Sequence, residues 1–376
     1  MDLSTVIINY NSFDLLKKCV ASLLIACKEL EHEIFIVDNA SPEGFQEECF
    51  SSNNRIHVIK NKTNLGFAKA NNKALKECKG KYVLLLNPDV EIRDSAIKEM
   101  VNFLQTESNA GGVGCKTYWF NGSKFQFSTL KSPDLKTAIL ENTIIGKLFP
   151  ENRFFKKIWD IDHIAWSSKK PVSVKGMPAA LLMIKKEVLK KINYFDEDFF
   201  LYYEDKDLCK RIIDEGYAIF FLPNAEVIHH YGQSTKKENT NILNKMIKES
   251  RDHYYVKHFG WQGSLLKLTS SVNDYITKNS KKFLRILNFN NSEQSTEKMD
   301  IKLSWKNEDC IQKYCLEISV EPHFLHKVGQ FLNCEEYTLT SEMISKIPPA
   351  KYFWRCIGFK ENGEMITLNS GNFVKQ

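Results

Sequence analysis

The chain predicts an α/β protein: a doubly wound, mostly parallel layer over residues 1–260, then a helical segment and a small all-β, sandwich-like domain. Three observations carry this. Apolar runs of strand length alternate with segments of helical periodicity from Leu3 to about Leu104. A basic stretch of helical spacing occupies 261–289. After a polar linker at 290–300, the segment 301–376 changes character to short β-type runs. A length of 376 residues suits two or three domains.

Leu3 to Asn9 is a continuous apolar run around Val6, Ile7 and Ile8, the pattern of a strand covered on both faces. Helical spacing follows, with Leu15, Leu16, Cys19, Leu23 and Leu24 on one face and Ser12 at the N-cap position. Glu33 to Val37 reads as a second strand and Ile56 to Ile59 as a third. Asn64 to Cys78 reads as a helix with Phe67, Ala70, Ala74 and Cys78 inward. Tyr82 to Leu86 is the strongest strand pattern in the chain, and Ile97, Met100, Val101 and Leu104 mark the apolar face of the next helix.

From Lys116 to Lys170 the pattern is irregular and rich in Phe, Trp and Lys, an insertion of the kind that carries substrate contacts in α/β enzymes. Order returns at Val172 to Lys185, with a helix at Lys186 to Ile192. The acidic-aromatic stretch FDEDFFLYYEDKDLCKRIIDEGY follows, then a short strand from Ala218 to Leu222 that Pro223 ends. In 261–289, Leu265, Leu268, Val272 and Ile276 share a helix face. Lys267, Lys278, Lys281, Lys282 and Arg285 stand there against one acid, Asp274. KLSW, YCLEISV, YTLT and KYFWRCIGF read as strands of the last domain, and Glu361-Asn362-Gly363 as a hairpin turn.

Composition excludes several classes. Lys+Arg 52 against Asp+Glu 46 gives a formal charge of +6, far from the basic stripe of a nucleic-acid binder. No apolar run reaches the ~18 residues of a spanning helix. The start MDLSTVIINY lacks the basic region, apolar core and cleavage site of a secretory signal. Ten cysteines without a C-x-x-C pair fit neither a zinc ribbon nor a disulfide framework, so reduced thiols and a cytoplasmic location are expected.

Three polar groups follow predicted strands directly: Asn9-Tyr10-Asn11, Asp38-Asn39 and Asn87-Pro88-Asp89. In an open α/β sheet ligands bind beyond the carboxyl ends of the strands. Singly, each group is explained by an Asx turn or a helix cap; three on one edge are not. GGVG at 111–114 runs into Cys115-Lys116-Thr117 and meets no phosphate-loop pattern. A phosphorylated ligand here calls for a divalent cation, with Asp89 as oxygen ligand and His229 or His230 as nitrogen ligand. Glu204, Asp205 and Asp207 open a helix, whose positive end suits carboxylates. Framed by Phe199, Phe200, Tyr202 and Tyr203, such a carboxylate can also take a proton from a hydroxyl.

VIINYNS, IVDNAS, NLGFAKANN, LLLNPDV, FDEDFFLYYEDKDLCKR and EVIHHYGQS follow one another over about residues 3–258 as in family-two glycosyltransferases. The chain most resembles the bacterial rhamnosyltransferase-like branch that builds cell-surface polysaccharide. The resemblance implies the GT-A fold and transfer of a sugar, with inversion, from a nucleoside diphosphate sugar to a glycan or lipid-linked glycan. It implies donor-nucleotide contacts at Asn9, Asp38, Asn64, Gly66 and Asn87, with NPDV in the place of the D-x-D motif. It implies Mg²⁺ or Mn²⁺ on Asp89 and His229, Asp205 as general base, and Glu204 orienting the base or the acceptor. Gly176 and Met177 stand on the acceptor side, where VKGMPAALLMIKK departs from the family's G-A pair.

The tail is similar to a fibronectin type III sandwich, with Trp305 in an early strand. The basic segment 261–289 is the candidate for peripheral contact with the inner face of the cell membrane; packing on the catalytic domain is its alternative. The rival reading of the whole is a catalytically silent nucleotide- or carbohydrate-binding protein on the same fold. Retention of Asp89, Asp205 and His229 together argues against it.

Overall fold

The apolar runs of the first ninety residues become neighbouring parallel strands: β1 (Leu3–Asn9), β2 (His32–Asp38), β3 (Ile56–Lys60) and β4 (Tyr82–Leu86), in the order β3-β2-β1-β4. The computed structural model describes residues 1–93, 95–119, 124–126, 134–142, 161–230, 240–279, 294–296, 300–305, 311–319, 327–345, 350–360 and 365–375. It falls into two units, Met1–Phe120 with Ser128–Asp274, and Asn121–Phe127 with Tyr275–Gln376.

In the first unit every residue of β1, β2 and β4 is buried. Helices α1 (Phe13–Ala26) and α3 (Ala96–Thr106) bring Leu16, Leu23, Ile97 and Met100 into one cluster with Leu3, Ile7, Ile34 and Leu84. Helix α2 (Phe67–Leu75) packs on β1 and β2 outside that cluster. Cover on both faces is why these strands are mostly apolar rather than alternating, and their polar residues Ser4 and Glu33 are buried and hydrogen-bonded to each other (2.6 Å). Beyond β4 the direction changes. β9 (Leu181–Lys185) runs antiparallel to β4 and to β6 (Ala110–Trp119), and β10 (Ala218–His229) runs parallel to β6. β5 (Val90–Ile92) and β8 (Val172–Val174) pair antiparallel with β10.

Three local expectations are revised. The helix expected from Asn64 begins at Phe67, because Gly66 takes φ +80 and its N–H donates to Asn64 Oδ1 (2.9 Å), closing a turn first. The strand expected to stop at Pro223 runs on to His229. Its pairing with β6 shifts register between Leu222 and Glu226, an irregularity that accommodates the missing N–H of Pro223. Ser12 does stand before α1, but its hydroxyl donates to the Tyr10 carbonyl (3.1 Å) and not to a helix amide.

Within 116–170 the described residues include α4 (Leu135–Asn142) and a helix at 161–167, α5. Then come α6 (Lys186–Lys191), α7 (Glu204–Asp214) and α8 (Thr240–Asn279). Helix α8 is two arms meeting at Gly260, whose φ 56 and ψ −127 are not helical. Positions 280–289 of the basic segment lie outside the described residues.

The second unit holds β11 (Gln294–Thr296), β12 (Ile301–Ser304), β13 (Ile311–Ser319), β14 (Lys327–Leu332), β15 (Glu336–Leu339), α9 (Ser341–Ser345), β16 (Ala350–Lys360) and β17 (Met365–Lys375). A strand from the middle of the chain, β7 (Lys124–Gln126), joins them by pairing antiparallel with β14. The order is β11-β17-β16-β13-β14-β7, with β12-β15 as a separate pair. Trp305, Tyr314, Leu316, Trp354 and Phe373 form its core. The stretch read as a linker thus contains β11, parallel to β17. The turn at 361–363 lies outside the described residues, though the strands on either side of it pair antiparallel. Among the described residues no helix is long and apolar enough to cross a membrane, and no two cysteines are bridged.

Candidate active site

Parallel pairing brings the ends of β1, β2 and β4 to one edge. Register sets Asn9 opposite Asp38, and Asn9 Nδ2 donates to Asp38 Oδ1 (2.9 Å). The Ser41 hydroxyl donates to the same oxygen (2.6 Å), and the Ser41 N–H to Oδ2 (3.2 Å). Three donors therefore fix a carboxylate that is almost wholly buried.

Asn39, read with Asp38 as a polar group after a strand but given no role, and Asn61, which sequence reading left out, extend this edge. Asn39 Nδ2 donates to Asn64 Oδ1 (2.8 Å), while Asn39 Oδ1 accepts from Asn61 Nδ2 (3.0 Å) and the Leu65 N–H (3.0 Å). Both follow a strand directly, β2 and β3, which is the pattern that could have found them. The amides hold the turn at Asn64–Gly66. A Cβ on Gly66 would lie 2.5 Å from the Phe200 carbonyl, and the Phe67 N–H donates to that carbonyl (2.7 Å). Gly66 thus lets the strand edge meet the acidic-aromatic stretch.

Beyond β4, the Asn87 N–H donates to the Ala180 carbonyl (2.9 Å). Asp89 then leads into β5, whose Val90 pairs with His229 on β10. That pairing brings His229 Nε2 to 3.1 Å from Asp89 Oδ1, both residues buried, while the His230 N–H donates to the Asp89 carbonyl (2.8 Å). The His230 ring instead meets Glu91 Oε1 (2.7 Å). A carboxylate oxygen and an imidazole nitrogen this close fit two corners of an Mg²⁺ or Mn²⁺ site. Another trio, Asp196, Asp198 and His253, has its ligand atoms within 4.8 Å of one another. There Lys257 Nζ, 2.6 Å from Asp196 Oδ2, already supplies positive charge.

Tyr202 and Tyr203 both take φ 66, a left-handed backbone that costs of order 1–3 kcal/mol per residue and is found where a site over-determines the chain. They turn it into α7. Glu204 is 6% exposed, and its Oε2 lacks a hydrogen-bond partner. Burial, and then the adjacent Asp205, push its carboxyl well above the usual range. Asp205 is raised too, by burial of the carboxyl, against the lowering pull of Lys206 and the Ala179 N–H. Its Oδ1 accepts the Lys206 N–H (2.8 Å).

Asp207 behaves differently. Burial alone would raise it, but His258 (2.7 Å), Arg211 (2.8 Å) and Lys257 (2.6 Å) hold it at about 2. Arg211 Nη1 also donates to the carbonyls of Ile192 (2.6 Å) and Tyr194 (2.7 Å). This network ties α7 to α8, and sequence reading missed it because Lys257 and His258 lie fifty residues downstream.

On the expected acceptor side, Gly176 and Met177 are both buried. The Met177 thioether fills the space above Gly114, where a Cβ would come 2.5 Å from Met177 Cε. Its side chain is therefore core, which revises the acceptor contact expected of it. GGVG is explained by the same packing: Gly111 makes room for Tyr217 and Ile212, and Gly114 for Met177.

The sequence profile of the family described as Glycosyl transferase family 2 matches residues 4–172. The N-acetylglucosaminyl-diphospho-decaprenol L-rhamnosyltransferase of Mycobacterium tuberculosis is 24% identical over 278 residues, 71% of this chain and 88% of that one. The low-salt glycan biosynthesis hexosyltransferase Agl10 of Haloferax volcanii is 26% identical over 233 residues, 61% of this chain and 67% of that one. Among solved structures, S. aureus TarS 1-349 in complex with UDP-GlcNAc is similar with a TM-score of 0.46 and 16% identity, covering 77% of each chain.

Proposed function

We infer, from the match of residues 4–172 to Glycosyl transferase family 2, a nucleotide-sugar glycosyltransferase of GT-A type in cell-surface polysaccharide synthesis. It moves one sugar, with inversion, from a nucleoside diphosphate to a hydroxyl of a glycan or lipid-linked glycan. The mycobacterial relative, whose name couples rhamnosyl transfer to N-acetylglucosaminyl-diphospho-decaprenol, supports a lipid-linked acceptor.

The observation that carries the reading is the pairing of β5 with β10, which sets the buried Asp89 of the NPDV turn 3.1 Å from the buried His229. In the displacement the acceptor oxygen attacks the anomeric carbon from the face opposite the diphosphate. Asp205 takes the hydroxyl proton, the bond from carbon to the diphosphate oxygen breaks, and its electron pair leaves with the nucleoside diphosphate. A carboxyl raised by burial is a stronger base than a free one, and general-base help is worth roughly 10²–10⁴ in rate. Glu204, whose carboxyl burial raises well above the usual range, stands beside Asp205 to orient the base or the acceptor.

On the donor side Asn9, Asp38, Asn64, Gly66 and Asn87 line the strand edge, and Asp89 and His229 would hold Mg²⁺ or Mn²⁺. When bound, such an ion supplies Lewis-acid stabilisation of the leaving diphosphate.

The test is nucleoside diphosphate release from UDP-, dTDP- and GDP-sugars, with and without Mn²⁺, alongside calorimetric binding of the same donors. Release or binding confined to one donor, and lost in Asp89→Ala, is expected. If no nucleotide binds at any metal concentration, the reading fails.

A further inference from the structure

We propose that the second arm of α8 docks the protein on an anionic lipid surface through Trp261, Leu265 and Leu268. These side chains are 76%, 54% and 65% exposed. Steps of four and then three residues, at about 100° each, put all three within an arc of about 60°. The far side of the same arm is already used. Leu266 is 6% exposed, and Gly263 sits so close to the Tyr255 carbonyl that a Cβ has no room. The arm thus has two apolar sides, one committed to the protein and one open.

Charge selects the occupant. Over 261–289, Lys267, Lys278, Lys281, Lys282 and Arg285 stand against the single acid Asp274. A second copy of the chain would set like charges against each other; anionic headgroups complement them. A helix with an exposed apolar strip, a tryptophan at the interface and a basic sequence lies in the plane of a bilayer without crossing it. The strip continues in the sequence as Val272 and Ile276, and the helix runs to Asn279. The break at Gly260 separates this arm from the one that carries Lys257 and His258, so docking leaves the clamp on Asp207 in place. The proposal deepens the transferase reading, since a lipid-linked acceptor is found at such a surface.

The full chain would be floated with vesicles of phosphatidylcholine alone or mixed with phosphatidylglycerol. Retention on the anionic vesicles, weakening with salt, is expected, with little on the neutral ones. W261Q/L265Q/L268Q should lower partitioning at least ~10-fold at unchanged Tm, because the replaced groups are exposed. K278Q/K281Q/K282Q should weaken binding to anionic vesicles only. No retention at low salt, or a triple apolar variant that binds like the parent, overturns the proposal. So does a dimer that the apolar variant disperses, which would assign the face to a second copy. No nucleotide sugar enters these assays, so their failure leaves the transferase reading standing, and a failed transferase assay leaves these results standing.

Discussion

Glu204, Asp205 and Asp207 lie within one helical turn and titrate apart, because burial is met by different company at each. Asp205→Asn should lower turnover at least ~10²-fold while calorimetric donor affinity stays within about twofold, since only the proton acceptor is lost. Turnover of the parent should fall as pH drops through the raised Asp205 value. For Glu204 the folded value is raised, so the stability it contributes is present at low pH and is lost as pH rises through that value. Glu204→Gln should therefore melt with the parent at about pH 4 and above it at about pH 8, measured by circular dichroism. Asp89 and the acidic group at 204–207 were legible as candidates because they follow an apolar run or open a helix, whereas choosing His229 over His230, and Asp205 within its group, took the family resemblance. Asn61 and His258 were not legible, because what defines them is a partner brought from elsewhere by the fold.

The segment feeding α7 and the second half of α8's first arm are held together by charge. Asp207 is depressed from 3.8 to about 2, so its stabilisation is full above the unfolded value and is lost as pH falls through the folded one. That difference corresponds to about 2 kcal/mol. Asp207→Asn should cost about 3–5 kcal/mol in urea unfolding, because Arg211 and Lys257 are left facing a neutral amide. Gly66→Ala meets both a left-handed φ and the Phe200 carbonyl. A loss of more than ~1 kcal/mol, together with weaker donor binding, is expected there. Boundaries of this kind escape periodicity: Gly66 delays α2, and Pro223 is absorbed by a register shift that only the pairing of β10 with β6 defines.

For the whole molecule, the α/β class was legible because strands covered on both faces carry runs of consecutive apolar residues, such as Val6-Ile7-Ile8 and Tyr82 to Leu86, in place of alternation. The placement of β9 between β4 and β6 was not, since its direction is decided by neighbours some seventy and a hundred positions away. Short polar strands such as β11 are set by the edge they join. Donor nucleotide with Mn²⁺ at about 100 times its Kd should stabilise the folded chain by about 2.7 kcal/mol, read as a rise in Tm, and Asp89→Ala should abolish the rise.

The second unit also takes a strand from far upstream. Lys124–Gln126 pairs with β14, about 200 positions later in the chain. At roughly 5–20 residues per second of synthesis, that partner leaves the ribosome some 10–40 s after the strand does. During this interval its pairing with β14 waits on synthesis. A ribosome pausing within that window would lengthen the wait, so this one pairing of the second unit is set by the pace of translation.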